Sequence, residues 1–329
     1  MDFKITPILD SDKIIDKAFR RAAKKEKTGI NRMETVKKTA MIKLKTCSKV
    51  IESKLKRYEK EFPSFENLPT FYREIIDITL DVDRLKHSLG ALNWARRNVK
   101  RNFMESVRKI AKMSDPQDIT KERKHAYGRA SSFIKQISEE LEFLETARKK
   151  LNSLPDIKTD IPTAVVAGYP NVGKSLLVSK ISSGKPKIAR YPFTTQEVGI
   201  GHFFVDGIKC QLIDTPGLLD RPNEERNEIE MQAVKALESL ADLIIFLYDP
   251  TGTCGYPMEK QVNLHEEIEE TFTEVQIIVV YNKLDLIEEE REGLYISALE
   301  ENNLDALIDI LGKEIKLIYE SKNSILDVR

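Results

Sequence analysis

The chain has 329 residues, about twice the roughly 150-residue prior for one domain, and its 41% hydrophobic and 32% charged residues exclude a disordered chain or a fibre. No apolar run approaches the ~20 residues a membrane helix needs. The start Met1-Asp2-Phe3-Lys4 lacks a signal pattern, and Cys47, Cys210 and Cys254 lie too far apart for a disulfide framework or zinc site, so a soluble protein of the reducing cytoplasm is expected. The formal charge of zero is a cancellation: residues 1–150 carry 36 Lys and Arg against 22 Asp and Glu, a net +14, and residues 151–329 carry 17 against 31, a net −14. Eleven of the 14 glycines follow residue 150, so a basic helical half and an acidic α/β half are expected.

In the first half, Ile14, Ile15, Ala18, Phe19 and Ala22 mark a short helix, and Met33, Val36, Ala40, Leu44, Cys47, Ile51, Leu55 and Tyr58 mark a long one, each step being three or four residues. Pro63 and Pro69 interrupt the pattern before Phe71, Ile75, Ile76 and Leu80 resume it. Asp115-Pro116 supplies a cap and a first-turn proline for a helix expected to run unbroken through Phe133, Ile137, Leu141 and Leu144 to about Leu154. The expectation is an antiparallel bundle of four or five helices over residues 1–157. Basic clusters at Arg20–Lys25, Lys37–Lys45, Arg96–Arg101 and Lys121–Lys124 fit an RNA-binding face, because Lys and Arg neutralise phosphates and aromatics stack on unpaired bases. The alternative is a solvated surface tied by i,i+4 pairs to nearby acids. Trp94, beside the third cluster, is expected in the core.

In the second half, residues 158–329, the apolar run Thr163–Ala167 reads as a buried strand. It leads into Gly168-Tyr169-Pro170-Asn171-Val172-Gly173-Lys174-Ser175 and then an amphipathic helix. This GxxxxGK[ST] pattern, strand before and helix after, is a phosphate-binding loop. Glycines let backbone N–H groups curl round the phosphates, Lys174 reaches the β- and γ-phosphates and the Ser175 hydroxyl binds Mg²⁺. Strands Gly201–Val205 and Ile208–Asp214 pair through Asp206-Gly207, a hairpin-turn signal. They end in Asp214-Thr215-Pro216-Gly217, where Asp214 holds Mg²⁺ through water and the Gly217 N–H meets a γ-phosphate. After the strand Val275–Tyr281 comes Asn282-Lys283-Leu284-Asp285, whose carboxylate accepts both N1–H and N2–H₂ of guanine, a pair adenine cannot offer. After another short expected strand, Ser297-Ala298 falls where a backbone N–H reaches guanine O6. A final helix runs through Leu304, Leu307, Leu311 and Ile315. Between the phosphate loop and Asp214, Arg190-Tyr-Pro-Phe-Thr194-Thr195 is the expected first switch loop, with Thr195 as the favoured Mg²⁺ ligand and Thr194 as the alternative. The expected fold is an all-α helical bundle followed by an α/β P-loop GTPase domain with a mostly parallel six-stranded sheet and helices on both faces.

This ordered set resembles Obg-type, translation-factor-related GTPases, in which the phosphate loop, the switch segment and DTPGLL occur together. The stretch from Asp214 through Arg221-Pro222, with Glu225–Gln232 and Cys254-Gly255-Tyr256, is similar more closely to the nucleolar GTP-binding protein 1 family in its short archaeal form. The resemblance implies a GTPase of the assembling large ribosomal subunit that binds its rRNA and the pre-ribosomal particle, with Mg²⁺ as cofactor and neither DNA nor membrane as partner. It also implies that Asn171 can ligate K⁺ beside the phosphates, the alternative being that Asn171 braces the loop. Catalytic roles then fall to Lys174, Thr195, Gly217 and Asn171. Leu218, directly after the DxxG glycine, cannot orient water, so slow intrinsic hydrolysis and an activating partner are expected. Arg221 and Arg226 are expected to pair at the surface with Glu224, Glu225 or Glu228, a role in hydrolysis being the alternative. The competing function is a protein-directed regulatory GTPase whose helical domain docks a protein.

Overall fold

The structure, a computed structural model, describes residues 3–190, 197–287 and 292–326. Contacts divide the chain into two compact units. One holds residues 3–65 and 80–152; the other holds 66–79 with 153–329.

The helical unit contains α1 (Ser11–Ala23), α2 (Arg32–Glu61), α4 (Val82–Lys112), α5 (Pro116–Lys135) and α6 (Ser138–Ser153). Their starts are capped as the sequence dictates. Asp10, Asn31, Asp81 and Asp115 each accept a backbone N–H of the first turn through the side chain, and Pro116 sits where its missing N–H costs nothing. The stripe Leu44, Cys47, Ile51, Leu55 and Tyr58 of α2 is fully buried, as are Leu85, Leu92, Ala95 and Val99 of α4. The single helix expected over 116–154 is two. The chain tightens at Gln136 and Ile137, whose N–H groups both reach Ile134 O, and the Ser138 hydroxyl donates to the Lys135 carbonyl at 2.7 Å. Apolar spacing alone does not register this break, because Ile134, Ile137 and Leu141 stay buried on both sides of it.

The segment 70–79 belongs to the other unit. Helix α3 (Thr70–Thr79) buries Phe71, Tyr72, Ile75 and Ile76 in that unit's packing with α8 (Glu228–Glu238). Each such side chain contributes about 1.5–3 kcal/mol on burial, so the stripe follows the surface that covers it rather than its sequence neighbours. Tyr72 Oη accepts the Ile157 N–H at 2.9 Å, and the Glu74 carboxylate takes the Ser239 hydroxyl.

The α/β unit is a six-stranded sheet of order β2-β3-β4-β1-β5-β6, built from β1 (Thr163–Ala167), β2 (Lys187–Arg190), β3 (Glu197–Val205), β4 (Ile208–Asp214), β5 (Leu243–Tyr248) and β6 (Gln276–Tyr281). The pairs β1–β4, β1–β5 and β5–β6 are parallel; β2–β3 and β3–β4 are antiparallel. Every residue of β1 and β5 is buried, the signature of strands covered on both faces. Asp206 and Gly207 both take positive φ, forming the hairpin turn that sets Val205 opposite Ile208. The short strand expected before Ser297 is only an isolated bridge between Tyr295 and Tyr281, and the sixth strand is the edge strand β2 instead. The unit is completed by α7 (Lys174–Ile181), α9 (Met258–Thr271) and α10 (Leu304–Leu326). No helix among the described residues is long and apolar enough to cross a membrane.

Candidate functional site

Parallel strands release their chain at carboxyl ends, which is where open α/β sheets bind ligands. Gly168 follows β1, Asp214 ends β4, Asp249 follows β5 and Asn282 follows β6, so four separate segments converge there.

The loop after β1 needs its glycines. At Gly168, with φ +128°, a Cβ would stand 2.4 Å from the Leu247 carbonyl oxygen; at Gly173, with φ +108°, it would meet the Asn282 amide nitrogen at 2.2 Å. Helix α7 starts at Lys174 with no side-chain cap, leaving its first N–H groups directed at the loop. Lys174 is 6% exposed and donates to Gly168 O at 2.7 Å and Tyr169 O at 2.8 Å. Burial pushes its pKa down, opposed by Asp220 and Asp214. Asn171 takes positive φ with an exposed side chain, and Tyr169 stacks on Tyr256 at 4.2 Å, which ties the phosphate loop to the Cys254-Gly255-Tyr256 segment.

At the end of β4, Asp214 Oδ2 accepts the Ser175 hydroxyl, while its Oδ1 is buried without a hydrogen-bond partner. Burial raises the Asp214 pKa, and the Ser175 bond and Lys174 oppose the rise. The pair fits a hard cation: two oxygen donors meet, and one buried carboxylate oxygen has its lone pairs unused. Thr215 turns inward to Val166 O at 3.0 Å, locking β4 to β1. Gly217 N–H donates to Asp220 Oδ2 at 2.7 Å. Leu218 is fully buried. Thr194 and Thr195 lie outside the described residues.

Asn282 joins three segments. Its N–H bonds Tyr248 O, its amide donates to Val172 O at 2.8 Å, and its Oδ1 accepts the Ala298 N–H at 2.9 Å. The Ala298 N–H expected to face a base oxygen is thus held by Asn282 here. Asp285 is exposed, with Oδ1 oriented by the Ser297 hydroxyl, itself fully buried. Lys283, at positive φ, donates to Asp249 Oδ2 at 2.7 Å and to Thr253 at 2.7 Å. Asp249 is fully buried and also accepts Cys254 N–H at 2.6 Å and Thr251 N–H at 3.0 Å. Burial raises its pKa, but the bonds from Lys283, Thr251 and Cys254 outweigh it and bring it to about 2. Gln261 clasps the same turn from α9, accepting Asp249 N–H and donating to Asp249 O.

Asp249 and Asp220 escaped the sequence reading. The available signal for Asp249 was position: it is the first charged residue after the wholly apolar strand LIIFLY, at the same strand end as Asp214 and Asn282. Arg226 is not at the surface with Glu224, Glu225 or Glu228. It is 8% exposed and donates to Asn223 and to the Arg221 carbonyl, because residues 223–225 form a turn that folds over it. Arg221 lies 3.6 Å from Asp220 and 3.9 Å from Glu230.

In the helical unit, Trp94 is 43% exposed, not core. Its ring meets Phe133 edge-on at 5.9 Å, and its open face looks out beside Arg97 and Arg101 on the solvent side of α4. Phe103 is buried. Of the basic clusters, Arg20, Lys38 and Lys121 pair with acids of their own helices, whereas Lys24, Lys25, Lys43, Lys45, Arg97, Lys100 and Lys124 make no ion pair among the described residues.

A bundle of basic helices joined to a sheet whose GxxxxGK[ST] loop, DxxG turn and NKxD segment meet at the carboxyl ends of its strands has the fold of a P-loop GTPase. Residues 3–158 match the family model for the N-terminal helical domain of nucleolar GTP-binding protein 1 (NOG1), and residues 228–285 match that for nucleolar GTP-binding protein 1 itself. An uncharacterized protein of Methanocaldococcus jannaschii is 41% identical over 88% of this chain and 82% of its own length. The nucleolar GTP-binding protein 1 of Drosophila melanogaster is 34% identical over 81% of this chain and 42% of its own. A crystal structure of the Plasmodium falciparum protein of that name is 29% identical and covers 53% of this chain and 95% of its own, with a TM-score of 0.45. The chain belongs to the nucleolar GTP-binding protein 1 family, and it spans about half the length of the relatives that carry that name, 42–54%.

Proposed function

We propose that the chain is a GTP-binding and GTP-hydrolysing switch of large ribosomal subunit assembly. Residues 158–329 bind GTP or GDP with Mg²⁺, and residues 1–157 bind rRNA of the pre-ribosomal particle in the cytoplasm. The observation that carries the nucleotide reading is the Asn282–Asp285 arrangement. One amide ties the phosphate loop to Ala298, while an exposed carboxylate, oriented by Ser297, offers two acceptor oxygens to guanine N1–H and N2–H₂. Adenine has no donors in that pattern. Asp285→Asn tests it: one acceptor becomes a donor, so GTP affinity falls by about 10²–10⁴ through loss of charge-assisted bonds. Xanthosine triphosphate, whose C2 oxygen accepts from the new amide, regains it. An unchanged GTP affinity would remove the guanine reading.

Ser175 and Asp214 hold Mg²⁺, with Thr195 or Thr194 completing its shell, and the bound cation neutralises phosphate charge. Lys174, now on the loop carbonyls, turns to the β- and γ-phosphates. Asp220 occupies the Gly217 N–H that a γ-phosphate requires, so GTP must displace this carboxylate and GDP need not. That exchange supplies a switch whose two states differ by the γ-phosphate. Buried Leu218 cannot position water, which supports slow intrinsic turnover and an activating partner. Asn171, exposed and without a hydrogen bond among the described residues, is free to ligate K⁺ beside the phosphates. Replacing NaCl by KCl at constant ionic strength raises GTP turnover if it does; equal rates remove the K⁺ role.

The alternative, a helical unit that docks a protein, is less well supported because the unpaired cations and open Trp94 face suit phosphates and an unstacked base.

A further inference from the structure

Helices α2 and α4 run antiparallel. Lys37 Nζ meets the Ala111 carbonyl at one end, and Arg96 approaches Glu59 at 4.0 Å at the other. Between them is an open groove of about 520 Å³, within the range of small-molecule sites. The lining residues repeat one spacing on both walls: 45, 49, 52, 53 and 56 on α2 face 96, 100, 103, 104, 107 and 108 on α4, a single stripe of each helix. The floor is apolar, formed by Phe103, Val107 and Met104, the last 47% exposed. The rims are cationic, with Lys45, Lys49 and Lys56 on one wall and Arg96, Lys100 and Arg108 on the other. Except for Arg96, none of the six makes an ion pair among the described residues.

Arg96 is already engaged, its Nη2 donating to Asn93 and its Nε turned to Glu59, so the open positive charge of the rims is that of Lys45, Lys49, Lys56, Lys100 and Arg108. Glu52, the one acid lining the groove, is turned onto the Ser48 hydroxyl. An apolar floor between two cationic rims matches a ligand that is planar and weakly polar in the middle and anionic on both sides.

We propose that this groove takes an unstacked nucleotide of single-stranded RNA, with the base on Met104 and Val107, over the buried Phe103, and the flanking phosphates on the lysine and arginine rims. The proposal rests on the RNA reading above and names where a base is held. A duplex keeps its bases stacked and cannot reach the floor, so the groove selects loops, bulges or ends. It is distinct from the Trp94 face, which lies on another side of α4.

The test uses the full chain and a short single-stranded RNA carrying 4-thiouridine, with binding read by fluorescence anisotropy at low salt. Ser53→Trp, from an exposed position on the rim, fills the groove without changing charge. Met104→Glu places a carboxylate on the floor. Each lowers single-stranded RNA affinity by roughly 5- to 150-fold, the range for losing one stacked base, with an unchanged thermal melt, and the wild-type cross-link maps to residues 103–107. If both variants bind like wild type and cross-links map elsewhere, the groove assignment falls while the RNA reading stands. If the wild-type chain binds no RNA at low salt, the RNA reading falls as well. Equal competition by free uridine monophosphate would overturn RNA as the occupant.

Discussion

In the α/β unit, chemistry is held by a few side chains at four strand ends, each fixed by bonds to the others: Asn282 to Val172 and Ala298, Asp249 to Lys283, Asp214 to Ser175. In the helical unit, the cations sit on solvent faces, most without partners, and no comparable lattice of bonds orients them. Fixed donors suit a small ligand read atom by atom, whereas unpaired surface charge suits a polymer read mainly through its phosphates. The −14 and +14 halves follow the same division. The acidic unit gathers an uncapped helix start and Lys174 at one loop, and the basic unit spreads its positive charge over many residues.

The contrast breaks or survives on salt. RNA binding by the full chain should fall by about 10³-fold between about 50 and 200 mM salt if some six phosphates are neutralised, whereas GTP affinity, set in a buried site, should fall by less than about tenfold. Parallel losses would mean that both units bind by diffuse attraction. Next in size, Asp249→Ala leaves Lys283 facing a buried gap and should lower unfolding free energy by about 3–5 kcal/mol in urea titration, with weaker guanine nucleotide binding. Because the folded Asp249 pKa is depressed to about 2, its contribution is complete above about pH 4 and is lost as pH falls toward 2. Asp249→Asn should flatten that acid limb. Smallest, Asp220→Ala frees the Gly217 N–H and should raise the GTP-to-GDP affinity ratio by about tenfold, read by competition with a fluorescent analogue. An unchanged ratio would show that the Asp220 bond does not oppose the γ-phosphate.

The two units also differ in how legible they were. In the helical unit, three-and-four spacing located α1, α2 and the capped start of α5, but it merged α5 with α6, since a buried stripe continues through Gln136 and Ile137 regardless of the local bonding. It also counted Trp94 as core, because size and hydrophobicity do not say which side of α4 faces Phe133 and which faces water. In the α/β unit, the GxxxxGK[ST], DxxG and NKxD spacings marked in advance the segments that meet at the strand ends, because short loops there need particular side chains and particular glycines.

The amino-acid sequence by itself determined the helical and α/β halves, their opposite charge, the GxxxxGK[ST] loop and the NKxD segment after β6, all of which follow from local periodicity or from short motifs. Only the tertiary structure decided what depends on neighbours far apart in the chain. It placed α3 with the α/β unit, buried Arg226 in its own turn, gave Lys283 to Asp249 and Gly217 to Asp220, and opened an apolar-floored groove between basic stripes on two different helices, α2 and α4. Burial and hydrogen-bond partnership are set by which surfaces meet, and that is not written in the spacing along any one element.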